Sequence, residues 1–294
     1  MASRALFSPV GGKGIGMSDD DRLLDVRDVT VAYPGRHGRA GVRAVNGVSL
    51  HIAPGEVVGL VGESGCGKTS LGGAVMGILP LAGGDIFFQG EHLDRENRGW
   101  MRDYRRRVQM VFQDPMGALN PRLTAGDAID ETLFVNRHQP DLQTAGQRRA
   151  RRRELLAQVG MDEASMAGRY PHELSGGQRQ RIGIARALAV GPRLLVADEP
   201  VSALDVSVQV QILNLLKDIS EQLAVACLFI AHDLAVVRYM CRRTYVMVDG
   251  AIVEEGLSDS LFDIPAHAYT AKLIAAVPDV ARGLARRNGA YGHL

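Results

Sequence analysis

From Leu23 to Ile52 apolar and polar positions alternate: Leu24, Val26, Val29 and Val31, then Val42, Val45, Val48 and Leu50. The alternation breaks at Pro34-Gly35 and a polar turn, so it predicts antiparallel strands with one buried face. Pro54-Gly55 punctuates next; Glu56 to Val61 is a short continuous apolar strand, a Gly-rich loop follows, and Thr69 to Leu79 suits a helix. Gly84 to Gln89 and Val108 to Phe112 predict further strands, while Thr124 to Gln139, Gln147 to Val159 and Gln178 to Val190 carry helical spacing. Beyond this helical middle, the apolar strands Leu194 to Ala197 and Ala224 to Ala231 flank an amphipathic helix, Val206 to Gln222. That order predicts parallel strands joined by crossover helices, an α/β fold. Residues 1–21 are rich in Gly and Ser, then acidic at Asp19, Asp20 and Asp21, without the apolar stretch of a secretory signal. They are expected to be a flexible lead-in, with Met17 as an alternative start, and the tail from Arg282 is expected to be poorly ordered.

Charge narrows the functional classes. The chain has 34 basic and 33 acidic residues, a formal charge of +1, so no global field draws it to nucleic acid or an anionic membrane. Any polyanion must be bound locally. Arg148, Arg149, Arg151, Arg152 and Arg153, with Arg105 to Arg107 upstream, lack an accompanying aromatic platform. They predict a solvated helical face, and no nucleic-acid partner is expected. The three cysteines, Cys66, Cys227 and Cys241, have neither paired nor metal-ligand spacing, which argues against a disulfide framework, a zinc site or an iron–sulfur cluster and for a reducing compartment. No uncharged apolar run approaches the roughly 20 residues that span a bilayer.

Candidate chemistry begins at Gly62-Glu63-Ser64-Gly65-Cys66-Gly67-Lys68-Thr69, followed by Ser70. This run satisfies G-x-x-x-x-G-K-[ST] between a strand and a helix. Its glycines let successive backbone N–H groups converge on phosphate oxygens, and the helix after the loop presents its positive end to the anion. Lys68 adds a point charge at the β- and γ-phosphates, Thr69 offers a hydroxyl suited to Mg2+, and Cys66 is expected to serve as a small side chain. Leu194 to Ala197 runs into Asp198 and Glu199, which emerge at the carboxyl edge of a parallel sheet. Asp198 is the candidate Mg2+ carboxylate, and Glu199 the candidate base for an attacking water. His232 comes directly after the strand ending at Ala231, where an imidazole can reach the γ-phosphate or orient Glu199.

Leu174-Ser175-Gly176-Gly177-Gln178, shortly before Asp198, resembles the signature of ATP-binding cassette ATPases, and the resemblance extends over about residues 22–275. It implies a P-loop NTPase, RecA-like core with an N-terminal antiparallel β subdomain and an inserted α-helical subdomain at about 114–180. The implied organisation is a lead at 1–21, an ATPase domain at 22–256 and a carboxyl-terminal extension at 257–294. Ser175, Gly176, Gly177 and Gln178 would cap the γ-phosphate of ATP held by the opposite subunit of a head-to-tail dimer. Tyr33 would stack on adenine, Gln113 would sense Mg2+ and the membrane partner, Ser202-Ala203-Leu204-Asp205 would cross the dimer seam, and His232 would be the switch histidine.

Within that superfamily, Phe112-Gln113-Asp114-Pro115-Met116-Gly117-Ala118-Leu119-Asn120-Pro121-Arg122 and Pro265-Ala266-His267-Ala268-Tyr269-Thr270, ending at Ala276-Val277-Pro278, resemble the ATPase subunits of oligopeptide and dipeptide importers. Met116 stands where an aromatic is frequent and Ala268 where proline is common. The resemblance implies ATP and Mg2+ as cofactors, and a second, different ATPase subunit, two transmembrane permeases and an external solute-binding protein as partners. It also implies a peripheral position on the cytoplasmic face of a bacterial inner membrane. DNA-maintenance ATPases of the superfamily would need long coiled-coil or zinc-bearing insertions, which this chain lacks; an ATP-binding subunit of a non-transport complex stays open as the alternative.

Overall fold

The computed structural model describes residues 22–35 and 41–276. The lead at 1–21 with Met17, and the tail from Arg282, lie outside the described residues.

Two sheets set the frame. The first is antiparallel, in the order β2-β1-β4-β5, with β1 at Leu24–Tyr33, β2 at Val42–Ile52, β4 at Gly83–Phe88 and β5 at Glu91–His92. Its predicted alternation has one irregular step, the three residues from Val26 to Val29. There the register of β1 shifts against both neighbours and Asp28 takes a left-handed backbone, φ 49°. The extra residue of this bulge returns Val29 and Val31 to the buried face. Val42, at the start of β2, stays exposed.

The second sheet runs β10-β9-β3-β8-β7-β6, with β3 at Val57–Val61, β6 at Val108–Val111, β7 at Leu194–Asp198, β8 at Ala226–Ala231, β9 at Arg243–Val248 and β10 at Ala251–Leu257. All neighbours are parallel except β9 and β10. Its central strands are buried on both faces, so they read as unbroken apolar runs. Leu194 and Val196 of β7, with Leu228 and Ile230 of β8, face the antiparallel sheet. Leu195 and Ala197, with Cys227 and Phe229, face the opposite core. Burial pushes the Cys227 thiol up to about 12, leaving it an inert apolar group at neutral pH.

The core between the sheets includes the buried face of α1 (Lys68–Val75) and Tyr104 of α2 (Arg98–Arg107). Helix α1 is shorter than its sequence pattern predicts. Gly77 takes φ 65°, and the amides of Gly77 and Ile78 turn back onto Ala74 O and Gly73 O, which closes the helix end before Leu79. After the short α3 (Pro115–Ala118), the second core collects α4 (Ala125–Val135), α5 (Ala145–Gln158), α6 (Glu163–Met166), α7 (Gly176–Leu188), α8 (Val206–Leu223), α9 (Leu234–Met240) and α10 (Ser258–Asp263), and α11 (Ala268–Ala276) lies against it through Tyr269, Leu273 and Ile274. Capping boxes at Thr124, Thr144 and Ser175 fix where α4, α5 and α7 begin.

Arg152 departs from the expected solvated face. It lies under Asp130 and Glu163, hydrogen-bonded to both, with 18% of its side chain exposed, because α5 turns that position toward α4 and α6. Arg106 and Arg107 pair with Asp103 inside α2.

Candidate functional site

Strands β3, β7 and β8 are neighbours and end level with one another, Val61 beside Ala231 and Asp198 beside Ile230. The residues immediately after them therefore share one carboxyl edge. Gln113 joins them from the end of β6, where Val111 pairs with Ala197.

The loop 62–67 is shaped by backbone that other residues cannot supply. Gly67 has φ 107°, and a Cβ there would stand 2.0 Å from Ala44 O. At Gly62 a Cβ would meet Met247 O at 2.1 Å. The loop is thus pressed between β2 and the end of β9, and only glycine fits. Lys68 is buried, and its Nζ donates to Gly62 O at 2.7 Å and Glu63 O at 2.8 Å, with Cys66 Sγ at 3.7 Å. No carboxylate lies within ion-pair distance of Lys68 among the described residues, so two carbonyl dipoles and the Cys66 sulfur hold this buried cation. A helix start, turned glycines and an unneutralised ammonium suit an anion with several oxygens.

Thr69 Oγ1 donates to Asp198 Oδ1 at 3.2 Å. Asp198 is buried, and burial raises its pKa above the usual carboxylate range; the Thr69 hydrogen bond opposes the shift, Glu199 adds to it and Lys68 lowers it. A hard cation beside these two oxygens would relieve that strain on the charged form. Among the described residues no group of three or more His, Cys, Asp or Glu side chains could hold a metal. The Thr69–Asp198 pair therefore fits an ion that takes most of its ligands from phosphate and water, as Mg2+ does.

Glu199 has φ 44°, an uncommon conformation for a side chain of its size. Its N–H donates to Ile230 O at 2.9 Å and its carbonyl accepts from Ser202 Oγ at 3.2 Å. The turn swings the carboxylate toward two partners that meet at one oxygen. Gln113 Nε2 donates to Oε2 at 3.1 Å, and His232 Nδ1 lies 3.2 Å from the same atom. The buried Gln180 of α7 reaches Phe112 O at 3.4 Å, steadying the segment that carries Gln113.

Tyr33 Oη shares a hydrogen bond with Ser70 Oγ at 3.1 Å, which sets its partly exposed ring beside the start of α1. The expected carboxylates, histidine, glutamine, lysine and threonine thus gather at one edge. Ser175 to Gln178 stand apart: among the described residues no hydrogen bond or ion pair joins them to the loop 62–69. Ser175 Oγ accepts Gln178 N–H at 3.2 Å, Gln178 Oε1 accepts Ser175 N–H at 2.9 Å, and a Cβ on Gly177 would strike Val208 at 2.5 Å. One contact has no signal in the residue pattern. Tyr269 Oη accepts Glu63 N–H at 3.0 Å, from a helix that only a family resemblance marks in the sequence.

A family model described as ABC transporter matches residues 45–202. The oligopeptide transport ATP-binding protein OppF of Bacillus subtilis is 44% identical over 259 residues, 88% of this chain and 83% of that protein. The dipeptide transport ATP-binding protein DppF of Lactococcus lactis is 43% identical over 265 residues, 89% of this chain and 83% of that protein. Among solved structures, a dimeric ATP-binding cassette in a post-hydrolysis state with ADP and Pi aligns with a TM-score of 0.71 at 29% identity, covering 80% of this chain and 98% of that one. The cbiO1 protein of Clostridium perfringens, part of the ABC transporter complex cbiONQ, gives 0.73 at 26% identity, covering 90% and 99%.

Proposed function

The chain belongs to the ABC transporter family, and from that premise we propose that it is the ATP-hydrolysing subunit of a membrane importer for peptides or a related small solute. The observation that carries the catalytic part is the convergence of Gln113 and His232 on a single Glu199 oxygen, beside the Thr69–Asp198 pair and the phosphate loop.

The triphosphate lies along residues 62–69, with Lys68 and the loop amides on the β- and γ-phosphates and Ser70 at the first turn of α1. Tyr33 stacks on adenine. Thr69, Asp198 and Gln113 are the residues that would hold Mg2+, which when bound draws charge from the phosphate oxygens. Glu199 orients the attacking water and takes its proton while the water oxygen bonds to the γ-phosphorus and the bridging P–O bond to ADP breaks. Gln113 and His232 hold the Glu199 carboxylate in line for that transfer. Stabilisation of developing charge by Lys68 and the backbone donors supplies most of the acceleration.

That no hydrogen bond or ion pair joins Ser175, Gly176, Gly177 and Gln178 to the chain's own loop among the described residues supports a head-to-tail pairing in which they cap ATP held by a second ATPase subunit, here taken as a different chain. Two permeases would dock on the helical insert, and an external solute-binding protein would deliver the solute. No helix among the described residues is long and apolar enough to cross a membrane, in keeping with a peripheral site on the cytoplasmic face, reached through the permeases. We assign 22–256 to the ATPase domain, about 114–180 of it to the insert, and 257–294 to the extension.

The test is Glu199→Gln in the assembled transporter. ATP binding should persist while turnover falls on the order of 100-fold or more. Hydrolysis at the parent rate would remove Glu199 from the mechanism.

A further inference from the structure

The phosphate loop is touched by the far end of the chain. Tyr269 Oη accepts Glu63 N–H at 3.0 Å, across 206 positions of sequence. The segment that carries Tyr269 is held firmly. Glu254 of β10 accepts Ala266 N–H at 2.7 Å and His267 N–H at 3.1 Å with its two oxygens, and His267 Nδ1 accepts Tyr269 N–H at 3.1 Å. Thr270 is fully buried, and Tyr269, Leu273 and Ile274 pack against the second core.

The peptide unit involved is the one between Gly62 and Glu63. Its N–H meets Tyr269, and its carbonyl, Gly62 O, accepts Lys68 Nζ at 2.7 Å. A trans peptide is planar and directs these two groups to opposite sides, so a partner on the N–H fixes the direction of the carbonyl. The other contact from this side of the molecule, Gly250 N–H to Cys66 O at 3.0 Å, holds a different peptide. Burial pushes the Tyr269 hydroxyl above its ordinary value, with the Glu63 N–H opposing, so at neutral pH it stays protonated and accepts as a neutral group.

We propose that Tyr269 is a positioning residue for ATP: by holding the Gly62–Glu63 peptide plane it sets where the Lys68 ammonium stands, and through it the carboxyl-terminal extension acts on nucleotide affinity. The proposal rests on residues 62–69 being the ATP-phosphate loop. One neutral hydrogen bond at a partly exposed site corresponds to an effect of about fivefold.

The test uses the full chain carrying Glu199→Gln, titrated with ATP and MgCl2 by calorimetry, with hydrogen exchange of residues 62–67 followed by mass spectrometry. Tyr269→Phe keeps the ring and removes the hydroxyl. It should weaken ATP about fivefold and speed exchange in the loop, while the melting temperature of the nucleotide-free chain moves by less than about 2 °C. In the parent background the change should fall on KM for ATP with kcat nearly unchanged. Glu254→Ala, which loosens the segment without touching the tyrosine, should shift affinity in the same direction. ATP affinity within twofold of the parent in Tyr269→Phe overturns the proposal, whatever Glu254→Ala does. Lys68→Ala separates the two readings: if it binds ATP as tightly as the parent, the assignment of the loop fails, and if it loses binding while Tyr269→Phe does not, only the role of Tyr269 falls.

Discussion

Asp198 is buried at the end of β7 with one hydroxyl for a partner. Burial raises its pKa in the folded chain, so folding favours the protonated acid. Stability then declines as pH rises from the unfolded value through the folded one. Asp198→Asn keeps an oxygen for Thr69 and removes that charge. We expect the nucleotide-free variant to be more stable by about 1 kcal/mol in denaturant titration at pH 7.5, and Mg2+-dependent hydrolysis to be lost. A less stable variant would contradict this account of the site. The loop, Asp198, Glu199 and His232 can all be placed from sequence because each comes directly after an apolar strand, and neighbouring parallel strands bring their carboxyl-terminal loops to one edge. That Gln113 and His232 meet at one Glu199 oxygen is not legible there, since it depends on a left-handed backbone at position 199 that no local pattern announces.

At the scale of elements, α4, α5 and α6 are tied together by Arg152. It hydrogen-bonds Asp130 and Glu163, and Arg153 Nε reaches the other Glu163 oxygen at 2.9 Å. Burial raises the Asp130 pKa and Arg152 pulls it down, while the two arginines hold Glu163 below its ordinary value. Arg152→Ala should therefore destabilise the chain by about 2 kcal/mol in urea titration, and Arg149→Ala by less than about 0.5, with ATP binding unchanged in both. Equal midpoints for the two variants would mean the cluster holds nothing together. The same helix shows where sequence patterning runs out: five arginines signal a wet surface, and only packing shows that Arg148, Arg151 and Arg152 are half-buried, Arg152 against α4 and α6. Strands β1 and β2 are legible from their alternation, whereas α2 is not, because it buries only Met101 and Tyr104 among its arginines. β10 escapes the pattern for a related reason, its residues being half-buried along an edge without a two-residue period.

At the scale of the whole molecule, the chain carries the loop 62–69 at one sheet edge and Ser175 to Gln178 elsewhere, with no bond between them among the described residues. In the assembled transporter, Lys68→Ala should reduce photolabelling of this chain by azido-ATP more than tenfold. Ser175→Arg should spare that labelling and instead block nucleotide trapping on the partner ATPase. If Ser175→Arg abolished labelling of its own chain, the pairing across subunits would be wrong. The two sheets are also stitched together through the loop: Asn46 N–H of β2 bonds Gly250 O, and Gly250 N–H bonds Cys66 O. A tilt of the antiparallel layer against the parallel one thus drags on the backbone of the loop 62–67. Under the proposed assignment of that loop, tightness of grip and inter-layer angle form a single mechanical coordinate, and a force applied to either layer by a neighbouring subunit reaches the fuel.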